Sequence, residues 1–126
     1  ADSAVAAVVD WEISTLGDPL ADLAYALNPW PDPSDSRPIA PEAATSPAGF
    51  PTRSALANRY AEKTGRDLSN LPYYIAFNRW KTACIVHGVY ARYMEGKKST
   101  DGVDLPTLKS RIDLSLTLAE EAIHQR

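Results

Sequence analysis

Two carboxylates near the start of the chain have the types and spacing that could hold a metal ion. Asp10 ends an apolar run over residues 4–9, and Glu12 follows two positions later. If the extended conformation continues, both side chains face the same side of the backbone. Carboxylate oxygens are ligands that Mg²⁺ prefers, and phosphoryl-transfer enzymes hold Mg²⁺ on such fixed oxygens. On spacing alone, the pair indicates a candidate metal site and no particular reaction.

The same acidic residues also allow a purely structural interpretation. Asp10 could be a solvated turn residue, and Asp18 before Pro19 is typical of a helix N-cap that needs no further function. A carboxylate at the end of an apolar run, however, has a partly buried backbone and needs a cation or hydrogen-bond donors. The sequence therefore favours a cap for Asp18 and a ligand for Asp10.

The elements that must position these residues are mainly helical. Apolar spacing predicts four helices, at about 19–27, 53–64, 71–95 and 105–124. The first three should be capped by Asp18, Thr52 and Asn70. The two longest helices should form the core, through the stripes Phe77, Trp80, Cys84 and Leu108, Ile112, Leu116.

The rest of the chain divides into a short strand and a long insert. Residues 4–9 are apolar on both faces and rich in valine, which favours a short buried strand, although the alanines suit a helix equally. Seven of the ten prolines lie from Pro29 to Pro51, which predicts an irregular insert over 29–51. A lone strand needs a partner, so we expect this run to pair with a missing N-terminal part or with a second copy, or else to stay unpaired.

Composition excludes several classes of function. The chain has 126 residues, 23% of them charged, and a net charge of −3, which gives nucleic acid no basic surface to bind. No apolar run is long enough to span a membrane, and the N-terminus lacks the pattern of a signal peptide. A single cysteine, Cys84, fits a reducing compartment. We therefore expect a cytoplasmic protein of one domain, residues 1–126.

Three motifs resemble the aminoglycoside-phosphotransferase-like family of small-molecule kinases, in its type associated with acyl-CoA dehydrogenases. They match in order and spacing, and they are Val9-Asp10-Trp11-Glu12, Leu16-Gly17-Asp18-Pro19 and Asp22-Leu23-Ala24. The segments 60–66 and 73–81 also resemble downstream helices of that type, so the likeness spans about residues 4–98. It implies the C-terminal helical subdomain of the large lobe in a protein-kinase-like fold, with a short N-terminal strand.

The resemblance also implies roles for individual residues. Asp10 corresponds to the aspartate of the protein-kinase D-F-G triplet, which binds Mg²⁺ beside ATP, and Glu12 could contact the metal or the substrate. Asp22 resembles a buried helix aspartate that supports the catalytic loop from behind. Arg79 could face an anionic substrate or be a solvated charge, and Trp30 could contact substrate or pin the start of the insert.

Other parts of the family's pattern do not occur in this chain. The catalytic loop H-G-D-x-x-x-x-N and the nucleotide-clamping lysine are absent, and His87-Gly88 is followed by valine instead of aspartate. The sequence therefore predicts a fragment of an ATP-dependent enzyme that phosphorylates a hydroxyl group of a small molecule. By itself the fragment should be inactive. The alternative is a non-catalytic helical binding or scaffold module derived from the same family.

Overall fold

The computed structural model describes residues 5–10, 12, 14–33, 35, 37, 43–45 and 48–124. These residues form four α-helices: α1 (Pro19–Leu27), α2 (Arg53–Thr64), α3 (Leu71–Met94) and α4 (Leu105–His124). The mainly helical fold predicted from the sequence is confirmed, and each helix agrees with its predicted bounds to within one residue. Between α1 and α2, the described residues form turns and neither helix nor strand.

Capping residues explain where the helices begin and end. The side chains of Asp18, Thr52 and Asp104 each accept a backbone N–H in the first turn of α1, α2 and α4. Pro19 occupies the first position of α1, where no N–H is needed. Gly65 ends α2 with φ of 68°, a left-handed conformation that costs glycine little. Asn70 occupies the N-cap position of α3 as predicted, but its side chain makes no capping hydrogen bond.

The described part of the predicted N-terminal strand does not form one. Residues 5–10 have no regular structure, and Val5, Val8 and Val9 are 84%, 62% and 76% exposed. Ala4 lies outside the described residues. A strand requires a neighbour to pair its backbone, and no segment of the described chain supplies one. Pairing of this segment with another part of the protein or with a second copy stays a prediction.

Helix α3 is central to the packing, since it contacts α4 most extensively and also packs against α1. A compact apolar cluster joins α1, α2 and the start of α3, with Ala24, Leu27, Ala57 and Leu71 buried at its centre. Along the rest of α3 and α4, the buried residues are mostly small: Ala76, Ala83, Ser115 and Ala122, together with Asn78 and Ile112. Small side chains let two helices approach closely.

The predicted core is therefore only partly correct. Helices α3 and α4 do pack together, and Ile112 is buried, but Phe77, Trp80 and Leu116 are 43%, 51% and 43% exposed. Cys84 is exposed as well. Phe77, Trp80 and Leu116 line an open groove of about 360 Å³ between the two helices. The prediction chose the bulkiest stripe of α3, whereas the helix contact uses the neighbouring stripe of small residues.

Across the described residues, each helix is too short or too polar to cross a lipid bilayer.

Candidate functional site

The backbone at Asp10 adopts an unusual conformation. Its φ is 61°, and no other non-glycine residue in the described part of the chain has a positive φ. This left-handed region costs an ordinary residue about 1 kcal/mol, although aspartate tolerates it better than most. Asp10 is exposed and directly follows the irregular residues 5–9. Conformations of this kind concentrate at functional sites.

Glu12 is also exposed and lies in a 3₁₀ turn, two residues beyond Asp10. Within the described ranges, no cluster of three or more histidine, cysteine or acidic residues could enclose a metal ion. Asp10 and Glu12 are therefore a pair of carboxylates that could bind Mg²⁺ without enclosing it. This donor set fits the ion, because Mg²⁺ is commonly held by one or two carboxylates together with nucleotide phosphates and water.

Asp18 ties this segment to the helical body through both of its carboxylate oxygens. Oδ1 accepts the backbone N–H of Leu20 at 2.9 Å, and Oδ2 accepts the phenol O–H of Tyr74, on α3, at 2.8 Å. These hydrogen bonds hold the pKa of Asp18 below its usual value of 3.8, and the one from Leu20 has the larger effect. Asp18 is thus the cap that the sequence predicts, and it also fixes the start of α1 against α3.

The pKa of Asp18 provides a test of this contact. In Tyr74→Phe, the pKa should rise toward its usual value but stay below it, because the Leu20 N–H still donates. The two bonds stabilise the fold above pH 3.8, and their contribution is lost as the pH falls through the lowered pKa. An NMR titration of the Asp18 carboxyl carbon measures the shift. An unchanged pKa would show that Tyr74 does not hold Asp18, and Tyr93→Phe is the matched control.

Asp22, the residue expected to support a catalytic loop, lies in the first turn of α1 and is exposed. The burial expected for it is therefore not found in this chain. Its negative charge complements the positive end of the α1 dipole. Its role toward a catalytic loop stays a prediction, because the chain does not contain that loop.

Arg53 organises a polar centre that sequence reasoning missed. Its guanidinium donates to both carboxylate oxygens of Asp35, at 3.0 and 2.7 Å, and the side chains of this pair are only 20% and 18% exposed. It also donates twice to the backbone oxygen of Trp30, at 3.2 and 2.7 Å. The Arg53 backbone N–H donates to Asp32. One side chain therefore fastens the start of the insert to the start of α2.

The structure brings the other two predicted substrate contacts, Trp30 and Arg79, to this same centre. The indole N–H of Trp30 donates to the Pro51 oxygen at 2.9 Å, and its ring meets Phe50 edge to face. Arg79 Nη1 donates to the Leu118 oxygen at 2.9 Å, and burial, followed by the nearby charge of Arg53, lowers the pKa of Arg79. These contacts join parts of the chain to one another. Contact of either residue with a substrate stays a prediction. Trp30 does pin the start of the insert.

Sequence comparison gives the family. The profile of the phosphotransferase enzyme family, APH, matches residues 1–69, which include Asp10, Glu12, Asp18 and Asp22. The chain belongs to this family. The match covers more than half of the chain and ends between α2 and α3, so it includes Trp30, Asp35 and Arg53 but not Arg79.

The relatives of this family member are longer proteins. It is similar to acyl-CoA dehydrogenase family member 10 of Mus musculus, 38% identical over 100 residues, which are 76% of this chain and 9% of that protein. Acyl-CoA dehydrogenase family member 11 of Homo sapiens is 34% identical over 77% of the chain and 13% of its own length. A probable acyl-CoA dehydrogenase of Arabidopsis thaliana, IBR3, is 29% identical over 75% of the chain and 12% of its own length.

The chain thus spans about a tenth of the curated relatives that it matches. No solved structure matches it.

Proposed function

We propose that this chain is the C-terminal helical part of the large lobe of an ATP-dependent phosphotransferase, whose intact form transfers the γ-phosphoryl group of ATP to a hydroxyl of a small molecule. The observation that carries the proposal is the left-handed backbone at Asp10. Asp10 lies inside the family match, between an apolar segment and a capped helix. A strained acidic residue in that position suits a fixed metal ligand.

The proposed role of Asp10 is to hold Mg²⁺ through a carboxylate oxygen, with Glu12 as a second contact to the metal or the substrate. Mg²⁺ supplies charge stabilisation on the nucleotide phosphates during transfer. The hydrogen bond between Asp18 and Tyr74 would restrain this segment by joining it to α3. Fixing the ligand in advance matters because phosphoryl transfer depends on positioning and electrostatics more than on covalent chemistry by the protein.

The general base and the nucleotide clamp must come from outside this sequence, since neither motif occurs in it. Their source would be the N-terminal part of the same protein, which would also pair with residues 5–9. The acceptor would be a small molecule with a hydroxyl group, and the cytoplasm, where ATP is abundant, is the compartment we propose.

The experiment that tests the function uses the intact protein that carries this chain. Purified protein is incubated with Mg²⁺, ATP labelled in the γ-phosphoryl group and a panel of small alcohols, and the label is followed into the acceptor. Transfer that requires Mg²⁺ supports the proposal. The proposal would be contradicted if ATP were consumed with none of the acceptors and the protein did not bind Mg²⁺–ATP.

The isolated chain is expected to have no phosphotransferase activity. No group of three or more histidine, cysteine or acidic side chains among the described residues could hold a metal ion, and the sequence contains no motif for the base or the clamp. The same labelled-ATP assay on the pure 126-residue chain checks this. Turnover that disappears in Asp10→Ala would show that the catalytic groups have been assigned to the wrong part of the protein.

A second candidate is a non-catalytic helical binding module, which is favoured by the exposed apolar groove between α3 and α4. Phe77, Trp80 and Leu116 line it, and large exposed apolar surfaces often mark contacts with other proteins or domains. The sequence upstream in the same gene distinguishes the two. A catalytic loop H-G-D-x-x-x-x-N a short way before Ala1 supports the kinase, and a start codon close before Ala1 supports the module.

A further inference from the structure

A small cavity lies where all four helices meet the beginning of the insert. Its lining includes one residue from each helix or its end: Asn28 after α1, Arg53 on α2, Arg79 on α3 and Leu118 on α4. Its volume is about 20 Å³. On this measure one water molecule needs roughly 10–15 Å³, so the cavity has room for one water and excludes a phosphate or a small alcohol.

Two buried polar atoms from the lining residues have no hydrogen-bond partner among the described residues: Asn28 Oδ1 and Arg79 Nε. Each of the two side chains does form a hydrogen bond through another atom. The Asn28 amide donates to the Thr82 hydroxyl at 3.3 Å, and Arg79 Nη1 donates to the Leu118 oxygen. Leaving a buried polar atom unpaired costs about 1–3 kcal/mol, so two such atoms beside one cavity call for a shared partner.

The chemistry of the two atoms selects that partner. Arg79 Nε–H is a donor and needs an acceptor, whereas Asn28 Oδ1 is an acceptor and needs a donor. An anion would satisfy the arginine but would leave the amide oxygen facing negative charge. The other two arginines of the lining already have carboxylate partners, Arg53 with Asp35 and Arg37 with Glu121. Water both donates and accepts, and it therefore meets both needs.

We propose that this cavity is a binding site for a single structural water molecule, which accepts from Arg79 Nε–H and donates to Asn28 Oδ1. The water links the end of α1 to the middle of α3, at the point where Arg53 fastens the insert. It completes the hydrogen bonding of the polar centre and holds Arg79 in place. This inference does not depend on the proposed phosphotransferase activity.

A crystal structure of the intact protein, at a resolution that shows ordered water, tests the site. We expect one water within about 2.7–3.2 Å of both Arg79 Nε and Asn28 Oδ1. A direct hydrogen bond between these two atoms, a dry cavity, or a larger ion in the same place would each overturn the proposal.

Two variants separate this water from general packing. In Asn28→Leu the acceptor is removed, and the water should be lost. In Thr82→Val the other partner of the Asn28 amide is removed while the cavity is retained, and the water should remain. In solution, magnetisation transfer from a long-lived water to the Arg79 Nε proton should occur in the wild type and in Thr82→Val. Its absence from the wild type would overturn the proposal even if Asn28→Leu fails to fold.

Discussion

Asparagine in place of Asp10 should lower the turnover of the intact protein by ~100-fold or more, because it removes a charge that acts on the transition state. The thermal midpoint should change little, since Asp10 is exposed in the described structure. Asparagine also tolerates the left-handed backbone that residue 10 adopts. The substitution therefore separates the loss of the metal ligand from a change of fold.

The measurement is turnover as a function of Mg²⁺ concentration, together with a thermal melt of the same preparation. Asp113→Asn is the matched control, because Asp113 is an exposed aspartate on α4 that forms an ion pair with Lys109 at the surface. It should leave turnover unchanged. Wild-type turnover for Asp10→Asn at saturating Mg²⁺ would refute the metal-binding role of Asp10.

Loss of Arg53 should have the largest effect on stability among the charged residues. In Arg53→Met the long apolar stem remains, but Asp35 and the Trp30 oxygen lose their charged donor. Hydrogen bonds to charged groups contribute roughly 1.5–3 kcal/mol, and Asp35 is left half-buried without its cation. We expect a loss of about 2 kcal/mol or more in the free energy of unfolding, measured by urea titration.

Arg59→Met on the same helix is the control, because Arg59 is exposed, and we expect it to change stability by less than about 0.5 kcal/mol. Arg53→Lys should fall between wild type and Arg53→Met, since an ammonium cannot reproduce the two-pronged contact with Asp35. Equal stability of Arg53→Met and Arg59→Met would mean that the insert is held by other contacts.

The helices could be predicted from the sequence because their ends depend on local chemistry. Asp18-Pro19, Thr52 and Gly65 each act on backbone groups within one turn, so their effect is visible in a short window of sequence. The family resemblance could be identified for the same reason, since its motifs are short and contiguous. The strand over 4–9 could not be settled in this way, because a strand depends on a partner elsewhere.

The buried face of α3 could not be predicted, because this helix carries apolar residues on most of its circumference. Side-chain size pointed to Phe77 and Trp80, but close contact between helices favours Ala76 and Ala83. Periodicity distinguishes an apolar face from a polar one, and it does not distinguish two apolar faces. The exposed aromatic stripe consequently became visible only in the structure.

The polar centre around Arg53 was missed for a different reason. Arg53 and Asp35 are separated by 18 positions across a proline-rich insert, and no periodic pattern connects them. The available signal was the presence of acidic residues at the start of the insert and an arginine at its end. The backbone conformation of Asp10 could not be predicted either, because the sequence identifies the residue but not its backbone angles.

The most direct test of the central claim is a structure of the intact protein with Mg²⁺ and a non-hydrolysable ATP analogue. The account predicts a carboxylate oxygen of Asp10 at about 2.0–2.1 Å from the ion, which also contacts the nucleotide phosphates. An ion bound to the phosphates with Asp10 outside its coordination sphere, and other carboxylates in its place, would contradict the account.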